Sequence, residues 1–443
     1  MTTMNKCSKC SRLISGLFIM FTMTNSHAMD LSSTVEDAIM HNPEFREQIK
    51  LHQGIESDLQ GANGSWYPTI DLSTGMGIEQ IDRADANKTN LTRTEASARL
   101  TQNLFEGYGT VNEISRQQSR LDSAGFNVTA KANEVALDMV TAYLTLLKEQ
   151  ELKQLALESQ STHERILDQI SQRTQAGIGN QVEVDQAKAR LALSNSNLMA
   201  AHNNYNDALA RFQRVLGRMP DHSLLKPNLE IIFPDTIDEA INVALVAHPT
   251  LRSANADIAQ ARAQHAASSG SFYPRVDFEL EQTFDNNTNG IEGHNNNLQA
   301  MFRLRYNLYN GGKDTANRDR TGTSVQQAAE IRNNSRRQVI ENLSYAWAAK
   351  TYISEQLGFI HQHIKLTHET LIGYRKQFSL GRRSLLDLLN TEDEYISALI
   401  SLVESEADYT IAEYRILNAM GKLNDALGVE VKYAIVENDY SNE

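Results

Sequence analysis

Side chains able to bind, charge or catalyse gather at two short stretches of this 443-residue chain. One runs from Arg173 through Gly177-Ile178-Gly179-Asn180 to Asp185. The other runs from Arg375 through Phe378-Ser379-Leu380-Gly381-Arg382-Arg383 to Asn390. Gly179 and Gly381 stand where one helix would end and the next begin, the place of a C′ glycine. Asn180-x-x-Glu183 and Ser384-x-x-Asp387 then read as capping boxes, which alone account for acids in a first helical turn. His361, His363 and His368 invite a metal reading, but residues i and i+2 do not share a helix face, so all three are expected to be solvated. No G-x-S-x-G, Walker-type or H-E-x-x-H motif occurs. The chain is therefore expected to be no enzyme and to need neither metal nor cofactor.

The elements that position these turns come in two kinds. The stretch Asn297 to Gly312 alternates: Leu298, Ala300, Phe302, Leu304, Tyr306 and Leu308 are apolar, whereas Asn297, Gln299, Arg303, Arg305 and Asn307 are polar, with Met301 the exception. A strand sends successive side chains to opposite faces, so this segment has one apolar face and one wet face. About 9–11 such residues span a bilayer when tilted. Three more segments alternate likewise: Ile70 to Glu79, Thr92 to Phe105, and Val276 to Phe284. Residues 81–91 are polar and turn-like, and 285–297 form an Asn-rich loop. Nearly everything else reads as long helix, in keeping with only seven prolines and 7% aromatics. No segment after residue 30 offers about 18 consecutive apolar residues, so no transmembrane helix is expected.

The order of elements recurs. A short helix ends at Asn42-Pro43 in one half and at His248-Pro249 in the other. Ser65-Trp66-Tyr67-Pro68 opens a strand, as does Ser271-Phe272-Tyr273-Pro274, and each pair of prolines is 25 residues apart. Leu104-Phe105-Glu106-Gly107 and Leu308-Tyr309-Asn310-Gly311 each launch a long helix. Two copies of ~200 residues indicate an internal duplication, 29–235 and 236–430, with a tail over 431–443. Strand pairs are expected at 69–105 and 275–309, helical hairpins at 110–216 and 313–427. The helices keep a seven-residue beat, for instance Val184, Leu191, Leu198, Tyr205 and Phe212, or Leu388, Tyr395, Leu402, Tyr409, Ile416 and Leu423. Strict heptads mean coiled-coil packing. A helix from Lys313 to Phe378 is roughly 100 Å long at ~1.5 Å per residue.

The first 28 residues read as a secretory signal peptide: Lys6, Lys9 and Arg12, then the apolar run Leu13 to Met23, then Ser26-His27-Ala28. Both cysteines, Cys7 and Cys10, lie in it, and Cys10 precedes the apolar run where a lipid-anchor cysteine should follow it. A formal charge of −13 argues against a nucleic-acid partner and for a solvated, acidic surface. Four membrane-crossing strands leave two open edges, and unpaired backbone groups in hydrocarbon cost several kcal/mol each. Single-chain barrels begin at about eight strands, so several copies must share one barrel, extended by their coiled coils as a tube.

The duplicated helix, the N/H-P junction, the S-[WF]-Y-P strand opening, the L-[FY]-x-G exit and the paired glycine-bearing tips together resemble the TolC-type outer-membrane efflux and secretion channels, over essentially the whole mature chain. The resemblance implies a mainly α fold with membrane β. Four transmembrane strands per chain contribute to a shared 12-stranded barrel in a homotrimer, and coiled-coil helices form a periplasmic α-barrel. It implies the outer-membrane bilayer, a periplasmic adaptor and an inner-membrane ABC exporter or proton-driven pump as partners. Carried over by position, the gate and constriction fall on Asp185, Phe378, Arg383 and Asp387, with Asn390 where the family has a second ring acid. The adaptor-docking tips fall on Ile178, Gly179, Leu380 and Gly381, and Arg303 and Arg305 line the lumen. The expected function is an exit duct, with type I protein secretion of a large adhesin or toxin favoured by the missing lipid-anchor cysteine. Small-molecule efflux is the alternative, and a structural or adhesive coiled-coil stalk a remote one.

Overall fold

The helix breaks fall where the Asx-Pro and His-Pro pairs put them. Asn42 Oδ1 accepts from the backbone N–H groups of Glu44 at 2.8 Å and Phe45 at 3.2 Å, capping the helix that Pro43 begins. His248 repeats this with its Nδ1, which accepts from Thr250 N at 3.3 Å ahead of Pro249. In the computed structural model, which describes residues 29–84, 86–221, 223–227 and 233–431, the elements run in two matching sets. The first is α1 (Leu31–His41), α2 (Pro43–Gly64), β1 (Thr69–Arg83), β2 (Ala86–Glu106), α3 (Gly109–Gln175) and α4 (Gln181–Leu216). The second is α5 (Ile237–Ala247), α6 (Pro249–Ser268), a 3-10 turn, β3 (Arg275–Asn286), β4 (His294–Arg305), α7 (Lys313–Ser379), α8 (Leu385–Ala419) and the short α9 (Leu423–Leu427). The signal sequence expected over residues 1–28 and the tail, Val431 excepted, lie outside the described residues.

α3 and α7 are both 67 residues long, α4 is 36 and α8 is 35, so the duplication read from motifs is a duplication of architecture. Each long helix folds back on its partner, α3 on α4 and α7 on α8, through the heptad positions: Val184, Leu198 and Phe212 are buried on one hairpin, Leu388 and Ile416 on the other. The line ending at Leu423 breaks at Gly421, so Leu423 starts α9 rather than closing α8.

The main core is one cluster in which all nine helices of the described residues, α1 to α9, meet around Val128, Tyr143, Phe212, Leu343 and Tyr414. Tyr143 is fully buried, and its hydroxyl lies 2.7 Å from the carbonyl oxygens of both Met29 and Leu225, where Met29 bridges Leu224. Burial pushes this phenol up to about 12, so it remains a neutral donor.

The four strands form one antiparallel sheet in the order β1-β2-β3-β4. Three boundaries differ from expectation, the first being the loop expected over 285–297, which is confined to 287–293 because β3 runs to Asn286 and β4 starts at His294. Residues 81–91 are largely strand, because Ile81 pairs with Thr89 and Glu79 with Leu91, carrying the first hairpin out to Arg83 and Ala86. β4, by contrast, stops at Arg305 rather than 309, since Arg305 pairs with Arg275, the first residue of β3. Beyond it Asn307 Oδ1 accepts from Tyr309 N at 3.2 Å and turns the chain toward α7.

Candidate functional site

Two regions carry the chemistry: the sheet, with opposite characters on its faces, and the pair of tips. On one face stand Ile70, Leu72, Met76 and Ile78 of β1, with Phe284 of β3 and Leu298, Phe302 and Leu304 of β4. All are more than half exposed, and Leu72, Met76 and Ile78 reach 80–81%. Phe278 and Phe302 pair across strands at 5.2 Å. So much aliphatic and aromatic surface in one sheet face is tolerable only against lipid or another apolar surface. At 12 residues each, β3 and β4 are about 40 Å long, enough to cross a hydrocarbon layer about 30 Å thick at a tilt.

The other face is a lattice of opposite charges. Arg99 Nη2 donates to Glu281 Oε1 at 2.7 Å between β2 and β3. Arg303 and Arg305 reach Glu279 at 3.0 and 2.8 Å between β4 and β3, and Arg305 also reaches Asp277 at 3.1 Å. Arg93 links β2 to β1 through Glu79 at 2.7 Å. Exposed ion pairs contribute little each, about 0–1 kcal/mol, but here they tie neighbouring strands in one register. Arg303 and Arg305 thus lie on the wet face, paired rather than free.

At the tips the chain reverses between helices. α3 ends on Gly177, with φ +76°, whose N–H reaches Thr174 O at 3.0 Å while Ile178 N reaches Arg173 O at 2.9 Å. α7 ends identically on Gly381, with φ +72°, through Gly381 N to Phe378 O at 3.0 Å and Arg382 N to Gln377 O at 2.9 Å. This double bond pattern requires the left-handed conformation, which glycine adopts without strain. The C′ glycine of the first tip is therefore Gly177; Gly179 instead lies where a Cβ would meet the Thr174 hydroxyl at 2.6 Å.

Asn180 caps α4 through Glu183 N at 2.9 Å, and Ser384 caps α8 through Asp387 N at 3.1 Å while donating its hydroxyl to Asp387 Oδ2 at 2.8 Å. Both capping boxes read from spacing act as N-caps. Asp387 Oδ2 also lies 3.2 Å from Arg383 Nε, so one carboxylate serves cap and ion pair together. Ile178 and Leu380 are 72% and 70% exposed, leaving bare apolar points at the ends of both hairpins.

The structure brings some expected partners together and separates others. Arg383 meets Asp387, but its aromatic neighbour is Tyr374, whose ring centroid is 3.9 Å from the guanidinium and whose hydroxyl it bonds. Phe378 lies instead under Arg173, at 5.0 Å, and packs on a small apolar cluster of α3, α4 and α8. Asp185 accepts from Gln181 Nε2 at 3.0 Å, with no bond to Arg383 within the protomer among the described residues. Asn390 accepts from Arg190 Nη2 at 2.8 Å. His363 pairs with Glu394 at 3.2 Å and His368 stacks on Tyr395 at 5.0 Å. Sequence reasoning missed Tyr374 and Arg190; the first sits one turn from Phe378, the second on the other repeat from Asn390.

A two-faced sheet continuous with very long helical hairpins defines an envelope channel protein. The family model described as outer membrane efflux protein matches this chain twice, over residues 34–218 and 240–422, and the chain belongs to that family. Its place is the outer membrane, with the helices on the periplasmic side. The outer membrane efflux protein BepC of Brucella suis is 23% identical over 86% of this chain and 82% of its own. The alkaline protease secretion protein AprF of Pseudomonas aeruginosa is 20% identical over 93% and 88%. Among solved structures, the outer-membrane channel OprN superposes with a TM-score of 0.79 at 16% identity, covering 88% of this chain and 90% of that one.

Proposed function

We propose that three copies of this chain close a 12-stranded barrel and form the outer-membrane exit duct of a tripartite export machine. The observation that carries this is the open sheet: among the described residues β1 pairs only with β2 and β4 only with β3, while one full face is apolar and exposed. Neither edge is tolerable in lipid unless a neighbouring copy pairs with it. A second face needs the same partner. Tyr345, Tyr352, Phe359 and Leu366, seven residues apart along α7, are 53–73% exposed, a coiled-coil seam on which no helix lies among the described residues.

In this reading the charged face lines the lumen, and the tips meet a periplasmic adaptor through Ile178 and Leu380 beside Gly179 and Gly381. Asp185, Phe378, Arg383, Asp387 and Asn390 belong to the gate region. An inner-membrane ABC exporter or proton-driven pump supplies the energy. For the cargo we favour type I protein secretion, supported by the likeness to AprF. Small-molecule efflux is the second reading, favoured by the likeness to BepC. A deletion strain tested for culture-supernatant proteins and drug susceptibility separates them. Loss of a secreted protein with unchanged susceptibility is expected; the reverse result moves the assignment to efflux, and no change in either removes the duct.

A further inference from the structure

Every strand boundary inside the sheet carries an ion pair on the wet face, and the two open edges carry unmatched halves. Arg93 joins β2 to β1 through Glu79, Arg99 joins β2 to β3 through Glu281, and Arg303 and Arg305 join β4 to β3 through Glu279. Asp71, near the start of β1, belongs to the same face and stands directly opposite Arg99 of β2. Arg99 turns away to Glu281, which leaves Asp71 exposed and without a hydrogen bond or ion pair among the described residues. On the other edge Arg303 bonds Glu279 through Nε alone, so among the described residues its two terminal nitrogens are unused.

The geometry of closure decides whether these halves meet. Barrel strands tilt by about 35–45°. Twelve strands about 4.8 Å apart, rising about 3.3 Å per residue, then need a total stagger of roughly 12–17 residues, or about 4–6 at each junction between copies. An odd stagger sets apolar side chains opposite charged ones, so it must be even. Within one copy Asp71, Arg99, Glu281 and Gln299 stand level across the sheet. A stagger of four sets Gln299 opposite Gly75 of the next copy and lays all 12 residues of β4 along β1, with Arg305 opposite Thr69, where β1 begins. The reverse stagger leaves only short ends of the two strands in contact. A stagger of six sets Asp71 opposite Arg305, whose terminal nitrogens already hold Asp277 and Glu279, and leaves Thr69 and Ile70 with no strand beside them.

We propose that Asp71 pairs with Arg303 of the neighbouring copy at each junction, and that this pair selects the four-residue stagger in which the copies close. It completes the charge lattice as a continuous belt around the bore. An exposed pair adds little stability, so its part is to select register: a slip of one pairing step the other way sets Asp71 opposite Met301.

The proposal rests on the three-copy reading of the barrel, and its test lets the two fail separately. Cys7 and Cys10 are the only cysteines and both precede Met29, so introduced pairs report cleanly. Residues directly opposite in an antiparallel pair have Cα atoms about 4.5–5.5 Å apart, within disulfide reach. Oxidised S73C/M301C, opposite each other at a stagger of four, is expected to give covalent trimers on denaturing gels. S73C/R303C, opposite at six, is expected to stay as single chains. Cross-linking of S73C/R303C in preference, or of neither pair in an assembled trimer, overturns the register. Without introduced cysteines, Asp71→Asn and Arg303→Ala should each lower the dissociation temperature of the detergent-solubilised trimer by about 2–4 °C, and the double variant no further than Arg303→Ala alone. Additive losses overturn the pair. A folded particle of one copy, cross-linked by neither pair, removes the three-copy reading itself.

Discussion

The two copies of the repeat share a skeleton and differ in chemistry. Helices of matching length occupy matching places, and the tips close on Gly177 and Gly381 with the same two backbone bonds. Around that skeleton, the first copy makes a long hairpin, with strands of 15 and 21 residues, and the second a short one of 12 and 12. The first copy caps its second helix with Asn42, the second with His248. In the main core the first buries Tyr143 with its hydroxyl bonded, whereas Trp347, at the equivalent place on α7, packs only partly buried. Backbone path is therefore set by a few punctuating residues common to both halves, and the specialisation lies in side chains that the path leaves free.

The largest expected effects come from charging the lipid face, and they should strike both copies alike. Leu72→Arg and Phe302→Arg each cost about 2–4 kcal/mol if the residue lies near the bilayer midplane, read as urea-induced unfolding from liposomes. Gln299→Arg, on the opposite face of β4, should change stability by less than about 1 kcal/mol. Equal losses for Phe302→Arg and Gln299→Arg would break the two-faced reading of the sheet.

Next comes the pair of helix caps. Burial lowers His248 from 6.5 to about 4, and its Nδ1 must stay unprotonated to accept from Thr250 N. The unfolded chain therefore takes up the proton first. The stabilisation is complete above pH 6.5 and drains as pH falls toward about 4, about 2–3 kcal/mol at most after allowance for partial solvation. His248→Asn, which copies the first repeat's cap, should remove this part of the pH dependence. Melting temperatures at pH 7 and pH 4.5 check it, the variant losing less on acidification than wild type.

Smaller again is Tyr143→Phe, which leaves the Met29 and Leu225 carbonyls without their shared donor and should lower stability by about 1–2 kcal/mol, measured by thermal melting. Smallest are Gly177→Ala and Gly381→Ala. Each forces a Cβ into a left-handed position and costs about 1 kcal/mol, equal within error if the two tips are the same device.

Much of this molecule is legible in the sequence because its periodicities are pure. Alternation of period two in Leu298 to Leu304 and heptads such as Val184 to Phe212 need no partner to be recognised, and the repeated proline and glycine punctuation sets their order. Strand ends are less legible, because an end depends on the partner: Ile81 to Arg83 and Ala86 to Thr92 continue as strand only since they pair across the hairpin and with the strand before it. Gly177 and Gly179 both suit a helix end by composition, and only the backbone bonds distinguish them. The choice of Phe378 over Tyr374 beside Arg383 is a difference of one helical turn on one face. The bond from Arg190 to Asn390 joins residues 200 apart in sequence, on different repeats, and no local spacing encodes it.

The most direct measurement is the stoichiometry of the detergent-solubilised particle by native mass spectrometry. An incomplete four-stranded sheet in lipid requires neighbours, and the expected result is three copies per particle. A folded, homogeneous single copy, with its apolar strand faces shielded from solvent within itself, would contradict the account.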